Sequence, residues 1–420
     1  MAAMPYPAGT LTNAKGHLEV GGCDVVDLAA AFGTPAYLFS VEEMRSRARA
    51  YMAAFSARTD DFEVLFASKA LPVTAAYRLF AQEGLSVDVA SGGELTMALA
   101  AGYEPGRIYM HGNNKTDSEI ELVGASGVGH LIVDSFDEIE RCERILEGPQ
   151  DVLVRVTPGI KPSTHSFIST GQVDSKFGFA LEDGTAARAI ERLLDSKTLN
   201  LVGLHFHIGS QIFEIEPFRL AVASLATLSG DWCRTVDVGG GLGISYTQED
   251  EPPEIETYVD LKFEAVREHF GDDVRILVEP GRSLVGTAGV TIYTVGTVKE
   301  IPGVRTYVAV DGGMSDNLRP MLYDARYEAV IANRAGDEAD HVVTVAGSHC
   351  ESGDILVRDV ALADPKVGDI LLTPATGAYG HSMANNYNGM PRPPVIFCED
   401  GQATIVVRRE TYEDLLARDA

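Results

Sequence analysis

Residues 275–282, Arg-Ile-Leu-Val-Glu-Pro-Gly-Arg, put a carboxylate and a guanidinium three residues apart at the end of an apolar run. Glu279, fixed at a strand end, can hold a proton on a ring nitrogen. Arg282, after the Pro280-Gly281 turn, can grip a phosphate or carboxylate bidentately. One cofactor presents both groups at once: pyridoxal 5'-phosphate (PLP), with its pyridinium nitrogen and its phosphate. Alone, the segment is a common strand–turn arrangement, so the other polar positions must decide.

Lys69 follows the apolar run Glu63–Ala67 and precedes Ala70-Leu71-Pro72. A lone lysine is ordinarily a solvated surface charge. At a strand end among apolar neighbours it can lose its proton more easily and form a Schiff base. Asp88 either orients that lysine or a cofactor, or caps the helix opened by Ser91-Gly92-Gly93-Glu94. His205 and His207 alternate on one strand and so point the same way. No third ligand stands at suitable spacing, so no metal is expected, and an imidazole stacked on a planar ring is the better functional reading. In Asp237-Val238-Gly239-Gly240-Gly241-Leu242-Gly243, backbone N–H groups can approach a phosphate. The G-x-G-x-x-G pattern is absent and the stretch lies late in the chain, which argues against a dinucleotide fold.

Further on, Arg319 with Tyr323 could grip a substrate carboxylate, although a plain surface loop explains them too. Cys350-Glu351-Ser352-Gly353-Asp354 lies between two strands; a single cysteine is usually a small hydrophobe. Tyr379 offers a phenol in a glycine-flanked loop.

Eight short apolar runs must position these groups: Glu63–Ala67, Ser86–Val89, Arg107–Met110, His130–Val133, Asp151–Thr157, Asn200–His207, Arg234–Val238 and Arg275–Glu279. Segments readable as helices, such as Gly92–Ala101 and Ser135–Leu146, lie between them. Alternating strands and helices imply parallel pairing. Eight such units predict an α/β fold, a (β/α)8 TIM barrel, with an open doubly wound sheet as the alternative. Chemistry in such a barrel sits at the C-terminal strand ends. Polar or glycine-rich residues stand just past all eight: Lys69, Asp88, His111-Gly112-Asn113-Asn114-Lys115, Asp134, Arg155, His207-Ile208-Gly209-Ser210-Gln211, Gly239–Gly241 and Glu279. The long interval after Asp151–Thr157 contains Thr164–Gly171, an insertion expected at the active-site face. After about residue 285, strands separated by turns predict a second, mostly β domain. The expected division is a barrel over 36–285, with 1–35 and 286–420 in the β-rich domain. Pro35–Phe39 reads as a further strand, and the first 35 residues are candidates to pack with that domain.

The chain has 420 residues, 45% of them hydrophobic, which suffices for two domains. Its 34 basic and 61 acidic side chains leave a net charge of −27. That argues against nucleic acid, which needs a basic face, and against anionic membranes. Five cysteines, an odd number without C-x-x-C spacing, suit a reducing cytoplasm. No secretory signal and no membrane span are expected.

Together these stretches resemble the PLP-dependent decarboxylases of the alanine-racemase fold type, from about Pro35 to Asn388. The likeness rests on Ala67–Ala70, Asp88–Glu94, His111–Lys115, Phe167–Gly171 with Ser175–Gly178, His207–Gln211, Gly239–Gly241, Glu279–Arg282, Leu318–Pro320, Cys350–Asp354 and Gly377–Tyr379. It implies that Lys69 holds PLP covalently and that His207 stacks on the ring. Ser210 and Gly239, Gly240 and Gly241 would bind the phosphate. Glu279 would pair with the ring nitrogen, and Arg282 would lie between phosphate and substrate. Arg319, Tyr323 and Glu351 would recognise the substrate's far carboxylate and ammonium, with Tyr379 near phosphate and substrate. Cys350, contributed by a partner subunit, would reprotonate the carbanion, which makes the active unit a homodimer. A cation and an anion in the pocket match a substrate with a second amino-acid end. This favours decarboxylation of meso-diaminopimelate to L-lysine, the last step of lysine biosynthesis. A paralogous decarboxylase acting on another amino acid, free or carrier-bound, is the close alternative. A racemase fits less well, because it usually pairs the ring nitrogen with arginine. A non-catalytic relative would lack Lys69 or Cys350.

Overall fold

The computed structural model describes residues 4–160 and 175–420. It divides into two compact units: residues 47–243 with 252–283, and the chain up to Ser46 with Ile244–Glu251 and Leu284–Ala420.

Eight strands of the first unit form its barrel: β1 (Phe62–Ala67), β2 (Ser86–Val89), β3 (Ile108–Met110), β4 (His130–Val133), β5 (Gln150–Thr157), β6 (Leu199–His205), β7 (Thr235–Asp237) and β8 (Arg275–Val278), with the two-residue strand Phe179–Ala180 added alongside β5. They pair in parallel in the order β5-β6-β7-β8-β1-β2-β3-β4, and β4 pairs back onto β5. The sheet is therefore the closed eight-stranded barrel that the strand spacing predicts. Leu65, Tyr109, Ile132, Leu153, Val202 and Leu277, from six of the strands, form one buried apolar cluster. Side chains alternate along a strand, so His111 and Glu279 follow Tyr109 and Leu277 on the same face. The apolar layer thus continues into a polar one at the C-terminal strand ends.

The helix Gly92–Ala101 matches its expected range, and the Ser91 hydroxyl accepts from the Glu94 N–H at 3.2 Å. Ser91, and not Asp88, is the cap. The next expected helix runs Phe136–Ile145, with Ser135 as its N-cap. The expected insertion Thr164–Gly171 lies outside the described residues.

The second unit holds a nine-stranded sheet built around the long strand Gly289–Ile301 and a small three-stranded antiparallel sheet between Leu11 and Asp24. Ala36–Ser40 pairs with Gly289–Ile301 on one side and Val395–Glu399 on the other. Every residue of Ala36–Ser40 is buried. This strand therefore belongs to the β-rich unit and not to the barrel, although the expected division starts the barrel at 36. Two ladders and two covered faces override its proximity in sequence to β1. Leu18, Val20, Val25 and Leu28 share an apolar core with Leu38, Val290, Ile292 and Ile396, so the N-terminal residues pack within this unit.

Candidate active site

Five buried ionisable side chains gather at the C-terminal ends of five barrel strands: Asp88, His111, His205, Asp237 and Glu279. His111 Nε2 lies 2.9 Å from Glu279 Oε1 and 3.7 Å from Asp88, and His205 Nε2 lies 3.4 Å from the same Glu279 oxygen. Burial alone would raise the Glu279 pKa, but the two imidazoles hold it well below the usual carboxylate range. Burial pushes His205 down to about 4, against the opposing pull of Glu279. Asp237 is pushed well above its ordinary value by burial and then by the charge of Glu279. Asp88 is raised by burial, with His111 opposing. Glu279 is therefore the carboxyl that holds the negative charge most firmly.

The end of β8 is fastened to the end of β1. The Ala67 N–H donates to Pro280 O at 3.0 Å, and a Cβ on Gly281 would come within 3.0 Å of the Ala67 methyl. Lys69 follows at once, in the single turn Ser68–Ala70. Lys69 thus stands just past the end of β1, as its place in the sequence predicts, with its side chain exposed; its charge acts on the buried Asp88 and on His207. Arg282 is buried, and its Nη2 and Nε donate to Ser210 Oγ at 2.9 and 3.3 Å.

The glycine turn departs in one respect from the sequence reading. The Gly239 N–H donates to Asp237 Oδ1 at 2.9 Å, and the Gly240 N–H donates to His207 Nδ1 at 3.3 Å. The Gly241 N–H has no acceptor among the described residues. A Cβ on Gly240 would lie 2.2 Å from Glu279 O, so backbone packing itself demands glycine there. Of the three N–H groups, only that of Gly241 is uncommitted toward a phosphate.

The sequence reading also finds no third ligand for a metal near His205. The fold supplies one: the ligand atoms of His111, His205 and Glu279 all lie within 4.8 Å of one another. They come from three different strands, so their spacing along the chain conceals them. The same group fits PLP. Glu279 Oε1 is buried without a well-aligned hydrogen bond, which suits an acceptor for a ring N–H.

In the second unit, Arg319 opens the short helix Arg319–Tyr323 and is buried. Its guanidinium lies 4.4 Å over the Tyr246 ring, and its Nη1 donates to the Tyr327 hydroxyl. Its Nε is buried and has no hydrogen-bond partner among the described residues. Tyr323 and Tyr379 are half-buried, and Tyr379 adopts a left-handed backbone with φ of 66°. Cys350 and Glu351 stand exposed on one loop. Asp354 anchors that loop, accepting from the His349 N–H at 2.9 Å and the Met314 N–H at 2.7 Å. Sequence reasoning misses Tyr246 and Tyr327, which carry no motif. It notes His111 and Asp237 only by their strand-end positions, the one signal that could have found them.

Residues 41–286 match the family described as pyridoxal-dependent decarboxylase, pyridoxal binding domain. The diaminopimelate decarboxylase of Bacillus subtilis is 49% identical over 97% of this chain and 96% of its own length. The diaminopimelate decarboxylase of Mycobacterium bovis is 41% identical over 99% and 98%. The crystal structure of diaminopimelate decarboxylase from M. jannaschii in co-complex with L-lysine is similar at a TM-score of 0.92 with 35% identity, covering 100% of this chain and 99% of that one.

Proposed function

The chain belongs to the diaminopimelate decarboxylases, and from that premise we propose how its residues carry the reaction. It converts diaminopimelate to L-lysine and CO2 and uses PLP as cofactor. We take the substrate to be the meso isomer and the reaction to be the last step of lysine formation. When bound, PLP supplies an electron sink for the bond to the departing carboxylate.

Lys69 would hold the cofactor covalently. Glu279 would keep the ring nitrogen protonated, a role supported by its firmly held charge in a buried position at the strand ends. Glu279 can serve a ring nitrogen or a metal, and the family favours the ring. Ser210, Arg282 and the Gly241 N–H would bind the phosphate, while Gly239 and Gly240 shape the turn. His207 would lie against the ring, and Asp88 would orient cofactor or lysine. The observation that carries the substrate reading is Arg319: a buried guanidinium whose Nε has no partner among the described residues suits a second carboxylate. Tyr323, Glu351 and Tyr379 would complete substrate recognition. Cys350 would return a proton to the carbon that CO2 leaves. Its exposure, with that of Glu351, supports a homodimer whose sites are shared between subunits. Five free cysteines suit the cytoplasm. Among the described residues, no helix is long and apolar enough to cross a membrane.

Purified protein with PLP and meso-diaminopimelate should release CO2 and L-lysine. Absence of lysine at saturating substrate would overturn the assignment, and faster turnover of lysine, ornithine or arginine would favour a paralogous activity.

A further inference from the structure

Lys262, on the helix Ile255–Phe270, is a fully buried amine that none of these roles uses. Its Nζ donates to Val238 O at 2.6 Å and to Gly239 O at 2.8 Å. It also lies 4.4 Å from the ring centres of both Phe218 and Tyr258. Burying an amine there is costly unless its N–H groups are matched, and the two carbonyls match them.

Those carbonyls open the glycine turn. In a trans peptide the C=O and the following N–H point in opposite directions. Fastening Gly239 O to Lys262 therefore aims the Gly240 N–H away from the helix, where it donates to His207 Nδ1 at 3.3 Å. Fastening Val238 O likewise aims the Gly239 N–H, which donates to Asp237 Oδ1 at 2.9 Å. The turn is tightly enclosed on this side: a Cβ on Gly239 would lie 2.4 Å from Phe206 O and 3.1 Å from His207 Nδ1.

We propose that Lys262 is a positioning residue for His207. Through the Gly239–Gly240 peptide it holds that imidazole with Nδ1 as acceptor and the proton on Nε2, and so orients the ring toward bound PLP. The inference rests on the reading of His207 as the residue that lies against the cofactor. A neutral imidazole has one donor and one acceptor nitrogen, so an accepting Nδ1 decides the tautomer. Burial, and then the charge of Lys69, hold His207 well below the ordinary histidine range, which keeps it neutral. Burial also pushes the Lys262 amine well below the ordinary lysine range, against Asp237 and Glu279. Charged or neutral, the amine supplies the two N–H donors the geometry requires.

The test is a double-mutant cycle read by PLP affinity, with apoprotein titrated by PLP in the wild type, K262M, H207Q and the double variant. Lys262→Met should weaken PLP binding about tenfold alone, and less than about twofold when His207→Gln is already present. Equal weakening in both backgrounds, or none in either, overturns the proposal. Failure of the wild type to bind PLP would instead overturn the reading of the site. If K262M does not fold, histidine 15N NMR of the unaltered holoenzyme decides. A His207 ring protonated at Nε2 alone supports the proposal, and a proton on Nδ1 overturns it.

Discussion

His111 Nε2 and Glu279 Oε1 stand 2.9 Å apart, both side chains buried, at the ends of strands far apart in sequence. The imidazole helps to keep the carboxylate charged where burial alone would neutralise it. A charged acceptor under a ring nitrogen is what the proposed electron sink requires.

Glu279→Gln keeps the shape and removes the charge. PLP should still bind, while kcat falls by about 10²–10³-fold. Lysine release and PLP titration on the same preparation check this, and an unchanged kcat would remove Glu279 from the chemistry.

Acid should destabilise the barrel through His205. Its pKa is about 4 in the fold against 6.5 for the free side chain. The fold therefore favours the neutral ring. Its contribution is complete above 6.5 and is lost as pH falls toward 4. The shift corresponds to roughly 3 kcal/mol. Urea unfolding at pH 7.5 and 4.5 should show a smaller pH-dependent loss in His205→Asn than in the wild type. Equal losses would mean that His205 gains its proton without cost.

Arg319→Met should leave PLP affinity intact and lower kcat/KM for diaminopimelate by about 10²–10³-fold, because a substrate carboxylate loses its charged donor. If kcat/KM stays at the wild-type level, the far carboxylate is bound elsewhere.

Mixing two inactive variants tests the shared site. Cys350→Ala and Lys69→Ala homodimers should each lack turnover. If Cys350 serves the partner's Lys69, random reassociation of equal amounts should restore about one quarter of wild-type activity. No recovery in verified mixed dimers would place both residues in one subunit's site.

Lys115 and Glu138 form a buried ion pair at 2.6 Å, and Lys115 Nζ also donates to Gly112 O and Ile132 O. Lys115→Met leaves the Glu138 carboxylate buried without its cation, at a cost of about 3–5 kcal/mol. Chemical denaturation of the two proteins measures it, and a loss under about 1 kcal/mol would contradict a buried clamp.

Much of the fold is legible because a barrel strand, covered on both faces, must be a short apolar run, and each run ends where polar chemistry begins. Gly92–Ala101 is readable from Ser91 and Glu94, which compete for no other local structure. Ala36–Ser40 is not assignable that way. An apolar run reports that it is buried, but not which sheet supplies its neighbours.

The chain by itself determines the eight strands, the β-rich remainder, and the residue types at each strand end, since periodicity and turn chemistry are local. It also singles out Glu279 and Arg282. Only the tertiary structure decides what those residues meet. The His111–His205–Glu279 cluster, the Arg282–Ser210 pair, the cradle of Tyr246 and Tyr327 around Arg319, and the Lys262 link to the glycine turn all join residues distant in sequence. Closing the barrel brings strand ends together, and burial then sets which of the gathered groups carries charge.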